Sequence, residues 1–191
     1  MAVLNNSAEC NIGVSDTSNL TLELGWRVQK MPLNALDLIK RILSRAYVLD
    51  TSVIICKESK FQSLSDLVYF CHASDNSDSV NHLGKVFKNV EQFNIDFSKL
   101  PNNVDRLIVA LNIYRADIRM QDFRKVKDIY IKLYDSNKNE LAQYNLSNKD
   151  AKYLSVLLGE FYKNSDNNWV FRVIDKGLFQ NTFKDIANLF K

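Results

Sequence analysis

Glycine and proline are scarce in this sequence, which has five glycines and two prolines among its 191 residues. The phosphate-binding loop of nucleotide triphosphatases and the fingerprint of dinucleotide-binding domains each need several glycines within one short stretch. No stretch of this chain brings glycines together in that way. The sequence therefore excludes both of these nucleotide-binding motifs.

Cysteine is also rare, and its three copies, Cys10, Cys56 and Cys71, form no C-x-x-C pair. An odd number without paired spacing argues against a disulfide framework and favours a reducing compartment. Cys56 and Cys71 lie in runs of strand-forming residues, where a free thiol usually behaves as a small apolar core residue. We therefore expect buried thiols without a metal or redox role.

The sequence has only two histidines, His72 and His82, and neither lies near a nucleophile motif such as G-x-S-x-G. No set of histidines and cysteines has the spacing of zinc ligands. A lone histidine of this kind is usually a structural residue that forms a hydrogen bond. The sequence thus favours a protein that is not an enzyme and for which no cofactor is expected.

Long apolar runs are missing, since no segment approaches the stretch of about 18–20 apolar residues that a membrane-spanning helix needs. The first residues, MAVLNNSAECNIG, lack the basic start and the apolar core of a signal peptide. We therefore expect a cytoplasmic protein. The formal net charge of +3 is too small a surplus to indicate nucleic acid by itself.

Apolar residues are abundant, at 46% of the chain against 25% charged residues, which predicts a soluble protein with a sizeable core. At this length we expect one domain over residues 1–191, with a loose polar segment at 1–18. Period-two patterns predict short strands at 20–26, 47–56, 67–71, 92–101, 106–114, 128–135, 140–146, 153–163 and 169–175. So many strands at regular spacing indicate an all-β protein, an antiparallel β-sandwich.

Two segments have helical spacing instead. Behind an N-cap at Asn34, Leu36, Ile39 and Leu43 recur at helical intervals, which predicts an inserted helix over 34–45. This helix would either cover one end of the sandwich or offer a surface to a partner. The tail 177–190 carries an apolar stripe, which predicts a C-terminal amphipathic helix packed on the sheet.

The strand YVLDTSVIIC (47–56) carries one carboxylate, Asp50, among apolar neighbours. Side chains two positions apart share a face of a strand, so a bound hard cation would need oxygen ligands at 48 and 50 together, and position 48 is valine. Asp75 and Asp78, in the polar loop 73–79, complete the candidate remnant of a calcium site, although ordinary turn chemistry explains them equally well. We expect local hydrogen bonds to hold Asp50 at the start of its strand.

A cluster of basic residues follows the nearly continuous apolar segment 106–114. Such a cluster can bind an anionic partner. Nearby Asp117, Asp122 and Asp128 favour the alternative, an ordinary solvated connection whose charges are offset. The candidates for contact with an anionic partner are Arg115, Arg119, Arg124, Lys125 and Lys127.

Eight short segments match, in order, the motifs of one known protein family. They are LGW (24–26), LDTSV (49–53), DSVNHLG (78–84), FSKLPNNVDRLIVALNIYRA (97–116), RMQDFRKV (119–126), ELAQYNL (140–146), GEFYK (159–163) and WVFR (169–172), the last followed by Gly177. Together they resemble the TerD family of bacterial tellurium-resistance and general stress proteins. The resemblance implies an antiparallel β-sandwich, and protein partners of a ter-type stress system near the inner membrane.

The family resemblance also implies calcium bound by acidic loops, but this sequence departs from the family there. Val48 replaces the first Asp of the family's D-L-D, and Gly84 leads into KVFKNVEQFNIDF without the acidic stretches that the family has after its histidine. Lys85 and Lys88 stand near where those acids would be. Because calcium needs about six to eight oxygen ligands, we expect degenerate sites that bind it weakly at most.

Two alternative functions remain open beside a stress-response module that binds other proteins. One is a residual calcium-binding stress sensor that uses the three aspartates. The other is an anion- or nucleic-acid-binding module built on the basic loop 115–127, with nucleic acid the less expected partner. Met120 and Arg124 replace family glycines, which predicts a reshaped loop. The sequence does not indicate an oligomeric state.

Overall fold

The computed structural model describes residues 2–3, 9–11, 19–29, 46–146 and 152–191. In chain order its strands are β1 (Ala2–Val3), β2 (Glu9–Asn11), β3 (Leu20–Val28), β4 (Leu49–Lys57), β5 (Leu67–Tyr69), β6 (Val80–Phe87), β7 (Val90–Ile95), β8 (Val104–Ile113), β9 (Val126–Tyr134), β10 (Glu140–Asn145), β11 (Ser155–Lys163) and β12 (Trp169–Leu178). Two short α-helices follow β8 and β12, namely α1 (Ala116–Arg119) and α2 (Phe183–Ala187).

These strands form the two layers of a β-sandwich. The first sheet has the order β1-β10-β9-β3-β7-β6, and the second has the order β2-β12-β11-β8-β4-β5. Among the described strands, neighbours pair antiparallel except for β1, which runs parallel to β10. The antiparallel sandwich expected from the sequence is confirmed.

The main core lies between the two sheets and follows from the period of two in the strands. Leu20, Leu22 and Leu24 of β3 point inward, and so do Ile129 and its alternate neighbours in β9. Strand β8 is buried on both faces, as its continuous apolar sequence indicates. Each fully buried aliphatic side chain stabilises the fold by about 1.5–3 kcal/mol relative to an exposed one.

A second apolar cluster covers the outer face of the β8–β4 sheet. Ile54, Ile108 and Leu157 contribute from the strands, and Phe183 and Ile186 contribute from α2. The expected C-terminal helix is therefore present, but its start at 177 is wrong because β12 continues to Leu178. The helix begins only after Thr182, whose hydroxyl accepts a hydrogen bond from the Asp185 amide as an N-cap.

The three hairpins expected from the sequence, β4–β5, β9–β10 and β11–β12, are all formed. Strand β6 was not expected, and it forms one edge of its sheet. The predicted helix at 34–45 and most of the segment 1–18 lie outside the described residues. Residues 2–3 and 9–11 of that segment form β1 and β2, two edge strands without a clear sequence signal.

The register of the strands defines two ends of the sandwich. At the first, which we call the Asp50 end, lie the start of β4, the β6–β7 turn, the β8–β9 loop and residues 179–181. At the opposite end, which we call the Asp75 end, lie the loop 73–79, the segment 96–103 and the turns after β4, β9 and β11. Among the described residues, no helix is long and apolar enough to cross a membrane.

Candidate functional site

Glu91 is a carboxylate buried between the sheets near the Asp50 end. It shares the inward face of β7 with Phe93 and Ile95, and only 2% of its surface is exposed. Its Oε2 accepts hydrogen bonds from the Thr51 hydroxyl at 2.5 Å and from the Thr51 amide at 3.2 Å. That amide is available because β5 pairs with β4 only from Ser52 onward. Sequence analysis did not single out Glu91, although an acid within an alternating apolar pattern is a readable signal.

Two basic side chains of β6 complete the surroundings of Glu91. His82 Nε2 lies 3.2 Å from Oε2, and Lys85 Nζ lies 3.9 Å from Oε1. Burial would raise the pKa of Glu91, but the hydrogen bonds from His82 and Thr51 outweigh burial and hold that pKa below its ordinary value. Glu91 is therefore an ionised carboxylate at neutral pH whose charge is balanced by the protein itself.

Asp50 precedes Thr51 on β4 and, by the alternation of the strand, faces the opposite side of the sheet from Thr51. Its residue is only 8% exposed, and no hydrogen bond or ion pair reaches its carboxylate from the described residues. Burial raises its pKa, and the charge of Glu91 raises it further, while Lys85, His82 and Arg119 act in the opposite direction. The local hydrogen bonds expected to hold Asp50 are therefore not formed in the described part of the chain.

Two further oxygens near Asp50 lack partners. Asn112 faces Asp50 across the β4–β8 pair, and Ser52 follows Asp50 on the same face of β4. Within the described part of the chain, the buried Asn112 Oδ1 and Ser52 Oγ atoms accept no hydrogen bond, although the Asn112 amide donates to the Asn181 carbonyl at 3.3 Å. One carboxylate, one amide oxygen and one hydroxyl are fewer than the six or so oxygens that calcium needs. These residues do not fit a complete calcium site.

Asp75 and Asp78 lie at the other end of the sandwich, so the structure does not bring them to Asp50. Asp75 accepts hydrogen bonds from the amides of Ser77, Ser79 and Val80, and it organises its own loop. Burial would raise the Asp75 pKa, but these bonds and those from the serine hydroxyls lower it overall. Asp78 accepts from the Ser74 hydroxyl at 2.9 Å. Within the described residues, no group of three or more His, Cys, Asp or Glu side chains is arranged to hold a metal ion.

The basic loop lies at the Asp50 end, and some of its basic side chains pair with groups of the same loop. Arg124 forms an ion pair with Asp122 at 2.7 Å, as expected if the loop is an ordinary solvated connection whose charges are offset by nearby acids. Arg119 donates to the Ala46 carbonyl at 3.2 Å, and the exposed Arg115 lies over the Tyr114 ring at 5.4 Å. Lys125 and Lys127 both lie where the loop enters β9.

Met120 marks how this loop differs from the family pattern. It adopts a left-handed conformation at φ 51°, which glycine adopts most readily, and it closes α1. The loop thus keeps a backbone conformation suited to glycine while it presents a large exposed side chain. The substitution changes the surface of the loop at this position.

The described cysteines and histidines have different surroundings. Cys56 is buried as expected, and burial raises its pKa to about 12, so its thiol stays protonated. The expectation of burial is wrong for Cys71, which lies in the turn after β5 and is exposed. His72 Nδ1 lies 2.9 Å from the Leu67 carbonyl, an arrangement that fixes the same turn.

Comparisons with known proteins agree with these features. A family model described as the TerD domain matches residues 4–190. The stress response protein SCP2 of Bacillus subtilis is 31% identical over 145 residues, which cover 73% of this chain and 72% of SCP2. The tellurium resistance protein TerD of Serratia marcescens is 26% identical over 166 residues, which cover 83% and 80% of the two chains. The crystal structure of a TerD homologue from Streptomyces coelicolor superposes with a TM-score of 0.64 at 16% identity, and covers 91% of this chain and 97% of its own.

Proposed function

This chain belongs to the TerD family, whose named relatives are tellurium-resistance and stress-response proteins, and we propose that it is a non-enzymatic member that acts by binding other proteins. In this proposal its calcium site is degenerate, so that it needs no bound metal ion. Its partners are proteins of a ter-type stress system, and it works in the cytoplasm close to the inner membrane.

The observation that carries the proposal is the arrangement of charge around Glu91. His82 and Thr51 contact this carboxylate at hydrogen-bond distance, and the Lys85 ammonium lies 3.9 Å from it. The charges of Lys85 and Arg119 act to lower the pKa of Asp50. Charges of the same sign repel, and a divalent ion doubles the repulsion that a single charge would meet. A calcium ion beside Asp50 would be repelled by the charges of Lys85 and Arg119, with too few oxygens to offset the repulsion.

The surroundings of the titratable residues support a non-enzymatic role. His82 is bound to Glu91 inside the sandwich, and the His72 ring is held against a backbone carbonyl. A general base must be within reach of the proton that it removes from a substrate. The ring nitrogens that contact Glu91 and Leu67 are committed to those partners, which favours binding over catalysis.

A residual calcium sensor is the second candidate function. The three aspartates first considered cannot share one ion because they lie at opposite ends of the sandwich. A surviving site would have to use Asp50 with the unpartnered oxygens of Asn112 and Ser52. That set favours weak binding at most, since waters would have to supply most of the coordination sphere.

Thermal unfolding in calcium and in EDTA separates the two functions. A site with a dissociation constant of about one hundredth of the calcium concentration would stabilise the fold by about 2.7 kcal/mol. That corresponds to a rise in Tm of about 5–10 °C for a chain of this size. We expect the same Tm in millimolar calcium and in EDTA. A rise of this size in the wild type that is absent in Asp50→Asn would contradict the proposal and establish the sensor.

A further inference from the structure

Large apolar side chains are exposed mainly at one end of the molecule. Phe87, the last residue of β6, is 74% exposed, and Met120, at the end of α1, is 92% exposed. Others at the Asp50 end include Val86, Ile118 and Phe179. Single exposed apolar residues are ordinary, but a group of them at one end indicates a surface that meets a partner.

Specific contacts hold these protruding loops in one surface. The Asn181 side chain donates to Asp117 at 2.7 Å, which ties the segment after β12 to α1. The Tyr47 hydroxyl donates to the Asp122 carbonyl at 3.3 Å, and Tyr47 lines one cleft together with Lys88 of the β6–β7 turn. The apolar tips therefore project from neighbouring loops of a fixed framework.

Cations are placed between these apolar tips. Lys85, Lys88 and Arg115 are exposed, and the Arg119 guanidinium lies over the Tyr114 ring at 5.0 Å. The acids of the same loop are already engaged, with Asp122 paired to Arg124 and Asp117 bonded to Asn181. The Asp75 end carries both signs of charge, with acids at Glu58, Asp66, Asp75, Asp78, Asp96, Asp105, Asp135 and Asp166 and bases at Lys57, Lys60, Lys99, Arg106, Lys138, Lys163 and Lys191. The Asp50 end is therefore the more basic of the two ends.

An anionic bilayer accommodates both features of the basic end. Lysine and arginine side chains bind lipid headgroups electrostatically, while apolar side chains at the tips of loops insert into the boundary between headgroups and acyl chains. Nucleic acid would use the cations but would leave Phe87 and Met120 without an apolar contact. We infer that the Asp50 end is a docking surface for anionic membrane lipid, with Phe87 and Met120 as inserted side chains. This inference goes beyond the proposed function, because it assigns a lipid ligand to a defined surface.

Vesicle co-sedimentation tests the docking surface. The full chain is mixed in EDTA with vesicles of phosphatidylcholine, or with vesicles that also contain phosphatidylglycerol. We expect binding only to the anionic vesicles, and weaker binding at higher salt because salt screens the attraction. Arg115→Gln should weaken the partition coefficient about fivefold, since a basic residue near an anionic surface contributes about 1 kcal/mol. Phe87→Ala should weaken it about tenfold, and Met120→Gln should also weaken it, through lost apolar insertion.

Leu64→Ala is the matched control, because Leu64 is an exposed apolar residue at the Asp75 end. It should bind anionic vesicles as the wild type does, and circular dichroism should show that all four variants are folded. Failure to bind anionic vesicles would overturn the inference, as would equal binding to neutral vesicles or unchanged binding by Phe87→Ala and Met120→Gln. Binding of an acidic peptide or duplex DNA without vesicle binding would also overturn it. Because calcium is absent throughout, none of these outcomes decides whether the calcium site is degenerate.

Discussion

Asp50 and Glu91 are neighbouring buried carboxylates with opposite surroundings. Glu91 has hydrogen bonds from Thr51 and contacts with His82 and Lys85. Asp50 has no hydrogen bond or ion pair from the described residues. A buried charge without a partner costs stability, whereas a buried charge with several hydrogen bonds is costly to disturb. Replacement of each carboxylate by its amide should therefore have opposite effects.

Asp50→Asn should raise the free energy of unfolding at neutral pH by about 1 kcal/mol, since it removes a buried charge that accepts no hydrogen bond from the described residues. The pKa of Asp50 is raised in the folded state, so the cost of its charge is present above that raised pKa. The gain in stability should therefore shrink as pH falls through the raised pKa and vanish below the ordinary value of about 3.9. Urea unfolding at a series of pH values measures this. An Asp50→Asn variant that is less stable at neutral pH would show that Asp50 has a stabilising partner.

Glu91→Gln should lower the free energy of unfolding by about 2 kcal/mol, because it weakens charge-assisted hydrogen bonds in the interior. The pKa of Glu91 is lowered in the folded state, so its stabilising effect is present above the unfolded pKa and is lost as pH falls through the folded one. Urea unfolding at the same series of pH values measures this. Asp128→Asn is the control, because the Arg27–Asp128 pair is exposed and should contribute less than about 1 kcal/mol. Equal effects of the two variants would contradict the account of Glu91.

Part of this site can be read from the sequence at the scale of residues. Asp50 and His82 lie in recognisable family segments, and Lys85 follows directly after one of them. Glu91 is recognised as a buried residue only once the strand β7 is seen to carry Glu91, Phe93 and Ile95 on the same inward face. The separation of Asp50 from Asp75 could not be predicted, because it depends on the direction in which β6 crosses its sheet.

At the scale of elements, β6 shows why one strand escaped prediction. Its sequence VNHLGKVF does not alternate cleanly, since Leu83, Lys85, Val86 and Phe87 are all exposed. Its pairing with β7 shifts register twice, and Gly84 adopts φ 80°, a conformation that suits glycine in a bulge. Such irregularity protects an edge strand from pairing with another chain. It also removes the regular alternation by which a strand is predicted from sequence.

Gly25 shows, in contrast, how a short motif is explained by packing. A Cβ added at this position of β3 would lie 2.2 Å from the nearest ring atom of Tyr130 in the neighbouring strand. The glycine of the LGW segment therefore leaves room for an aromatic ring to lie flat on the sheet. The sequence contains the motif, but only the cross-strand register reveals its partner.

The C-terminal helix α2 is expected to stabilise the outer face of the second sheet. Ile186 is fully buried in the second apolar cluster, so Ile186→Ala should lower the free energy of unfolding by about 3 kcal/mol. Leu189→Ala, in the next turn, removes a side chain that is half exposed and should cost about 0.5 kcal/mol or less. Urea denaturation of the two variants under identical conditions gives the comparison. Equal and small effects would show that α2 is not packed as described.

At the scale of the whole molecule, the sandwich is predictable because its strands carry regular alternation and lie at even spacing. The difference in charge between its ends is not predictable in that way, since it arises when separate loops gather at the same end. The predicted helix at 34–45 connects two described segments of the Asp50 end, β3 and β4, and it stays a prediction. The molecule thus combines a family framework with an end whose chemistry is its own.

The central claim is that hydrogen bonds and a lysine ammonium of the protein stabilise the buried Glu91 carboxylate, and that no calcium ion binds at Asp50. Crystals of the full chain soaked in calcium chloride test it most directly, through the electron density around Asp50, Lys85 and Glu91. We predict the Lys85 ammonium close to Glu91 and no ion at Asp50. A calcium ion with about six or more oxygen ligands that include the Asp50 carboxylate, with Lys85 turned away, would contradict the claim.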